Sequence, residues 1–302
     1  MIPPLKPMEP IQTDRVLTSA EWIHQVKWDG VRILAHLDEG RVRLWNRRGQ
    51  ERTAQYPELT AELAGLSCSA VLDGEVIAVH EGRPDFFRVL KRDLLQDPRK
   101  VEAVGKQIPV QYQLFDMLEQ NGISMLEQEW EKRDFLLRSL MEDHSLERVG
   151  VTDSFEDGKA LWRATEERGW EGIVMKRKTS FYRLGQKHAD WRKCKHFRTL
   201  TAQMVGVSLK GERVNAILLG VEDDKERGWR YIGRAASGLG EQEWMLLKTW
   251  WPRMQVPDPP VINPPTETGV VWVRPTVSVV VRYLEWTPHG TLRSPTILHF
   301  SG

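Results

Sequence analysis

Lys27-Trp28-Asp29-Gly30-Val31-Arg32 lies between two β-like runs, Trp22–Val26 and Val31–Leu37. Lys27 ends the first run, two residues before a turn-forming Asp-Gly, and Arg32 follows it. A lysine is a covalent nucleophile only when part of it is neutral. Nearby cations or a desolvated pocket lower its pKa to that end. The same six residues also fit a plain hairpin turn with exposed charges, so their neighbours must decide.

The next informative stretch is Val71-Leu72-Asp73-Gly74-Glu75-Val76-Ile77-Ala78-Val79. Strand residues two apart share a face, which puts Asp73 and Glu75 together on an otherwise apolar strand. Two carboxylates there are costly unless they meet a cation, a ligand hydroxyl or a basic partner. Glu171-Gly172-Ile173-Val174-Met175-Lys176-Arg177 begins a strand with an acid and ends it with bases. An acid at the mouth of a sheet can hold a divalent metal, although a solvated strand end is the plainer reading. In Trp191-Arg192-Lys193-Cys194-Lys195-His196, the period-two rule puts Trp191, Lys193 and Lys195 on one face. From Lys176 to Arg198 nine Lys and Arg oppose one acid, Asp190. Such an excess favours phosphates of a nucleotide or a nucleic-acid backbone. Trp45-Asn46-Arg47-Arg48-Gly49 is a basic turn, and Phe115 in Tyr112-Gln113-Leu114-Phe115-Asp116 could stack on a base or simply fill the core.

The whole chain frames these pieces. Its 302 residues suggest two domains, and 40% hydrophobic with 28% charged residues support a packed core and exclude wholesale disorder. The net charge of +1 argues against a polybasic protein but not against a local basic groove. Cys68 and Cys194 are the only cysteines and no CxxC occurs, so neither a zinc site nor a disulfide framework is expected. The proline-rich opening lacks the apolar core of a signal peptide, and no run of 18 apolar residues suggests a membrane span. Thirteen tryptophans are an unusual excess over eight Phe and five Tyr.

Before residue 200 strands and helices alternate. Val31–Leu37 and Arg41–Asn46 read as a hairpin about Asp38-Glu39-Gly40. Helices are expected from Pro57, over Asp85–Leu95 with Asp85 as N-cap, from a Ser124/Glu127 capping box to Glu142, and over Phe155–Gly169. Strands are expected at Val71–Val79, Pro109–Met117, Gly172–Lys176 and Asp190–His196. After residue 200 come Ala202–Leu209, Asn215–Glu222, Trp229–Ala235, Gly269–Val273 and Val277–Trp286, with one helix at Glu241–Trp251 and a proline-dense loop at Pro252–Pro265. The pattern predicts an α+β domain with antiparallel and mixed sheets over residues 1–199, then a small barrel of the OB type over 200–302.

These pieces, in this order and spacing, resemble the covalent nucleotidyltransferase superfamily, and most of all the ATP-dependent DNA ligases in the form of the ligase module of bacterial end-joining enzymes. Lys27–Arg32 looks like motif I, Asn46–Gly49 like Ia with Asn where Ser is usual, and Leu72–Val76 like III. Gln113–Met117 looks like IIIa, Glu171–Lys176 like IV and Trp191–Lys195 like V. The resemblance implies a nucleotidyltransferase domain followed by an OB-fold. It implies that Lys27 attacks the α-phosphorus of ATP to form lysyl-AMP, and that Lys193 and Lys195 stabilise the α-phosphate. It assigns Arg32 and Arg47 to the nucleotide sugar or phosphates, Glu75 to the ribose, Phe115 to the adenine, and Glu171 with Glu75 to Mg2+ or Mn2+. AMP then passes to the 5′-phosphate of nicked double-stranded DNA, and the 3′-hydroxyl displaces it.

The resemblance also implies DNA repair, a Ku-like end-binding partner, a monomer, and the bacterial cytoplasm or nucleoid with no membrane. Three departures stand out. Gln25 replaces a usual Glu. Ser294 replaces His in Leu292-Arg293-Ser294-Pro295, with no recognisable basic motif VI after it, so a slow first step is expected. No polymerase or phosphoesterase module accompanies the ligase pattern. An RNA ligase, a capping-type guanylyltransferase and a non-catalytic nucleic-acid-binding OB protein remain the alternatives. The linker near Arg198–Ala202 is the expected hinge.

Overall fold

The two strands that flank Lys27-Trp28-Asp29-Gly30 do not pair with each other in the structure, a computed structural model. They lie in different sheets, so the segment is a crossover and not a hairpin turn. Gly30 is required there by proximity: a Cβ at that position would lie 2.1 Å from the Val76 carbonyl oxygen. The structure describes residues 5–66, 68–142, 144–211, 213–223, 225–226 and 228–301. It forms two compact units, Met1–Lys195 and His196–Gly302.

In chain order the first unit comprises β1 (Glu9–Gln12), β2 (Trp22–Val26), β3 (Val31–Asp38), β4 (Arg41–Asn46), α1 (Pro57–Ala64), β5 (Ala70–Ile77), β6 (Val79–His80) and β7 (Arg83–Pro84). It continues through α2 (Phe86–Asp93), α3 (Pro98–Gln107), β8 (Gln111–Gln120), β9 (Ile123–Ser124), α4 (Trp130–Glu142), β10 (Val149–Val151) and β11 (Ser154–Phe155). It ends with α5 (Gly158–Glu167), β12 (Gly172–Arg177) and β13 (Lys187–Lys195). One sheet has the order β1-β13-β12-β2-β11 and the other β10-β8-β5-β3-β4. The sheets face each other over a small core of Met8, Leu34, Val71, Leu118, Tyr182 and Trp191. Alternation along each strand sends the intervening residues outward. On one side Ile33, Ala35, Leu72 and Val76 pack with Leu59 and Leu63 of α1, Val89 of α2 and Leu137 of α4. On the other, Ile173, Met175 and Cys194 pack with Leu161 of α5.

Capping explains most helix starts. Asp85 accepts from Phe87 and Arg88 N–H, Asp97 from Arg99 N–H, and Asp157 from Ala160 N–H. The Ser124/Glu127 capping box does not form. Ser124 lies in β9, paired with β8, and α4 begins at buried Trp130. Ser154–Phe155 is likewise strand, paired with β2, so α5 starts later than the sequence pattern suggested. Several elements escaped the sequence pattern, among them β1, β7, β9, β10, α3 and a last strand in the second unit. β1 holds Pro10 and is an edge strand, where a missing N–H is tolerated.

The second unit contains β14 (Arg198–Lys210), β15 (Arg213–Asp223), β16 (Gly228–Ala235), α6 (Glu241–Trp250), β17 (Val270–Trp272), β18 (Ser278–Tyr283) and β19 (Thr296–Ser301). The order β16-β15-β14-β18-β19, with β17 also on β14, curls so that Leu292 N–H reaches the Ile232 carbonyl and Ile297 N–H that of Ser237. This is the expected OB-type barrel. Its core includes Met204, Ile217, Ile232, Leu247 and Val279, with Trp244 and Trp251 packed against it. The residues expected to hinge, Arg198–Ala202, are paired with β18 from Tyr283 to Val279. Only His196 and Phe197 separate β13 from β14.

Candidate active site

The inner faces of the two sheets bring together residues from four separate stretches. Lys27 follows β2, and its backbone N–H donates to the Gly172 carbonyl at 2.9 Å. Glu171 immediately precedes β12. One of its oxygens accepts from Lys27 Nζ at 2.5 Å and the other from Lys195 Nζ at 2.7 Å. Gly172 holds a φ of 139°, and a Cβ there would lie 2.1 Å from the Cys194 carbonyl oxygen. Only glycine lets the Glu171 segment approach β13 so closely. Lys193 and Lys195 share the inner face of β13, as period two requires.

The electrostatics follow from burial and pairing. Burial alone would lower the Lys27 pKa, but Glu171 and Glu75 outweigh it and hold the ammonium above the ordinary lysine value. This reverses the sequence expectation of a depressed lysine. The cations do surround Lys27, but a carboxylate touches it first. Burial would raise Glu171, yet Lys27 and Lys195 hold it below the usual carboxylate range. Glu75 is pushed up to about 8 by burial, against the pull of Lys27 and Arg32. Lys193 is pushed down to about 8 by burial, then by Lys195 and Lys27. Neither Glu75 nor Lys193 makes a side-chain hydrogen bond or ion pair among the described residues. Both are left open for an incoming ligand.

Arg32 is placed differently. Its guanidinium grips Asp73 with two bonds of 2.9 and 2.5 Å, and also reaches the Met8 carbonyl at 2.7 Å and Tyr182 Oη at 3.2 Å. Tyr182 Oη in turn donates to Asp73 at 2.6 Å. Asp73 and Glu75 do share a face, but Asp73 is consumed by Arg32 while Glu75 is not. Tyr182 and Met8 were not singled out in the sequence. Their role depends on β1 lying beside β13, a parallel pairing across 178 residues that no local pattern announces.

Phe115 occupies a β-bulge: Asp73 pairs with Asp116 and Gly74 with Leu114, leaving Phe115 without a partner on β5. A bulge re-aims a side chain, here toward the inter-sheet face beside Trp191. Its carbonyl accepts from buried Lys176 at 2.7 Å, and Asp116 is held by Arg133 at 2.7 and 3.0 Å. Arg47 is exposed on the turn after β4. Asn46 shapes that turn by accepting from the N–H groups of Arg48 and Gln50, each at 3.0 Å. Gln25 is buried and donates to Ser154 Oγ at 3.0 Å.

The basic run from Lys176 to Arg198 is not one phosphate surface. Lys176 is buried among Phe115, Trp130 and Trp191. Arg177 pairs with Glu21 and Asp190, and Lys178 with Glu156. Glu21, Glu156, Phe115 and Trp130 are distant in sequence, so a local count overstated the charge available.

For a divalent cation, the described residues include no group of three or more His, Cys, Asp or Glu side chains. Glu171 and Glu75 nonetheless supply hard oxygen donors, and Glu75 has no competing partner. Mg2+ is commonly held by one or two carboxylates together with substrate phosphates, and this donor set fits that mode.

The first unit, a two-sheet scaffold with lysines and carboxylates on its inner faces, and the second unit, a β-barrel, define a nucleotidyltransferase domain followed by an OB-fold. Comparisons with known proteins narrow this. The ATP dependent DNA ligase domain profile matches residues 5–195, and that of the ATP dependent DNA ligase C terminal region matches residues 210–300. The chain belongs to the ATP-dependent DNA ligase family. It is 32% identical over 286 residues to the multifunctional non-homologous end joining DNA repair protein LigD of Mycobacterium tuberculosis, covering 92% of this chain and 36% of that protein. The chain thus spans little more than a third of that relative's length. It is also 32% identical over 239 residues to a DNA ligase of Methanothrix thermoacetophila, covering 74% of this chain and 42% of that one. The structure of mycobacterial DNA ligase D complexed with ATP and MES matches with a TM-score of 0.59 and 31% identity, covering 98% of this chain and 95% of that one. The family match places the chain with the DNA ligases among the nucleotidyltransferases.

Proposed function

We propose that this chain seals nicks in duplex DNA through a lysyl-AMP intermediate on Lys27. The observation that carries the reading is the buried Lys27–Glu171–Lys195 bridge with unpaired Lys193 and Glu75 beside it. Residues 1–199 would act as the nucleotidyltransferase domain and 200–302 as the OB domain.

Lys27 must first leave Glu171 and lose a proton, because a charged ammonium has no lone pair. Lys193 and Lys195 supply the cations that draw in the α-phosphate and stabilise the charge developing on it. As the P–N bond to Lys27 forms, the P–O bond to pyrophosphate breaks. Glu75, half-buried and unpaired, is suited to hold a ribose hydroxyl. Phe115 offers a ring for the adenine, and Arg47 an exposed cation for the sugar or phosphates. Arg32 serves these contacts from its anchor on Asp73. Glu171 and Glu75 would hold Mg2+ or Mn2+, which when bound offsets phosphate charge. The second transfer moves AMP from Lys27 to the 5′-phosphate at a nick, and the third joins that phosphate to the 3′-hydroxyl with release of AMP.

The named relative works in non-homologous end joining, which supports a repair role and a Ku-like partner for this chain. Among the described residues no helix is long and apolar enough to cross a membrane. A monomer in the bacterial cytoplasm completes the proposal. The test is incubation with α-labelled ATP and a divalent cation after removal of prebound AMP. Covalent label on the wild type, none on Lys27→Ala, and sealing of a nicked duplex are expected. Absence of label on the wild type would sink the reading.

A further inference from the structure

We propose that Trp28 and Trp170 form a positioning bracket that keeps Lys27 aimed at the α-phosphorus once its ion pair with Glu171 opens. The inference rests on reading Lys27 as the nucleophile, and adds two residues outside the recognised catalytic set.

Two segments meet at the site, and each carries one reacting charge and one indole. Lys27 and Trp28 are consecutive, as are Trp170 and Glu171. The two segments are joined at three levels. Lys27 N–H bonds the Gly172 carbonyl, Lys27 Nζ bonds Glu171, and the indoles of Trp28 and Trp170 meet with centroids 5.4 Å apart, tilted by 42°. Each indole is anchored separately. Trp28 Nε1 donates to Thr152 Oγ1 at 3.0 Å, and Thr152 N–H donates to the Leu114 carbonyl of β8. Trp170 Nε1 donates to the Gly82 carbonyl between β6 and β7 at 3.3 Å, and the Arg168 guanidinium lies 5.0 Å from its ring centroid.

The functional consequence follows from the order of events. Lys27 cannot attack while its ammonium bridges to Glu171. When that contact is released, the strongest link fixing the side chain is gone at the moment when aim matters most. The ring contact does not involve the reacting charge, so it persists through the exchange. A misplacement of the order of 1 Å is enough to cost about 100-fold in rate. The later sealing step uses AMP already on DNA and does not need Lys27 to be aimed at ATP.

The two steps therefore separate positioning from general stability. In Trp170→Ala, single-turnover labelling of Lys27 should slow about 10- to 100-fold. The ATP concentration for half-maximal rate should change little, as should sealing of a nick that already bears a 5′-adenylate. Trp170→Phe, which keeps a ring in the contact, should recover much of the labelling rate. Thr152→Val, which removes the anchor of Trp28, should fall between. Wild-type labelling in Trp170→Ala, an equal fall in both steps, or a Phe variant no better than Ala would overturn the bracket. If Trp170→Ala does not fold, Trp170→Phe and Thr152→Val carry the same comparison, and equal falls in both steps overturn the proposal. An unlabelled wild type would instead overturn the ligase reading.

Discussion

Lys27 Nζ and Glu171 Oε2 stand 2.5 Å apart although 144 residues separate them in sequence. The contact keeps the amine protonated before nucleotide arrives. At saturating ATP, the labelling rate should therefore climb between pH 6 and 8, where Lys193 still holds charge, by up to about tenfold per pH unit, as the neutral fraction grows. Lys27→Arg, which cannot deprotonate in this range, should show no label at any pH. A wild-type rate that falls across that interval would contradict the pairing.

Lys193 has its pKa near 8, so its charge is lost as pH rises through that value. A phosphate ligand prefers the charged form, and ATP affinity should weaken above about pH 8. Lys193→Arg keeps its charge and should flatten that limb. Equilibrium binding of ATP measured from pH 6.5 to 9.5 distinguishes the two curves, and identical profiles would remove Lys193 from the phosphate site.

Glu75 titrates in the opposite sense for stability. Its carboxyl is raised from an ordinary 4.5 to about 8 in the folded ligand-free protein. The contribution is fully present below 4.5 and is lost as pH rises toward 8, because the charged form is the one burial disfavours. Glu75→Gln should leave the thermal midpoint unchanged at pH 4. At pH 9 it should raise it by about 2–4 °C, the equivalent of about 1 kcal/mol. A midpoint difference that is the same at both pH values would rule out the buried neutral carboxyl.

Arg133 and Asp116 are both fully buried, and their two bonds hold the strand beside Phe115. Removing one partner leaves an uncompensated charge, so Arg133→Met should destabilise the protein by about 3–5 kcal/mol. Denaturant unfolding checks this. The Phe115 bulge should loosen with it, visible as weaker ATP binding under conditions where the variant is still folded.

Gly172→Ala places a Cβ against the Cys194 carbonyl at a φ of 139°. The backbone must shift, and Glu171 shifts with it. Loss of labelling together with a lowered thermal midpoint is expected, and a fully active Ala variant would show that the segment has room to spare.

Much of the site was legible because its chemistry lies in short strand-linked segments. Period-two alternation was enough to put Lys193 with Lys195, and Asp73 with Glu75, on common faces. The OB helix and five of its strands were also readable from their apolar runs. Missed elements were those whose formation depends on distant partners. β1 is strand only because β13 lies beside it. Ser124 had the right neighbours for a helix cap, but pairing with β8 prevailed. The basic run up to Arg198 looked like free charge because Glu21, Glu156 and two of the rings around Lys176, Phe115 and Trp130, are remote in sequence.

By itself the sequence determined which residues carry charge, which strand face each occupies, and the order of motifs that places the chain among nucleotidyltransferases. Only the tertiary structure decided how those charges pair. Glu171 takes Lys27 and Lys195, Asp73 takes Arg32, and Glu75 and Lys193 are left open. Alternation along a strand is local geometry and needs no other segment. Ion pairing in a buried space depends on which chains meet there, and on a dielectric that burial alone creates.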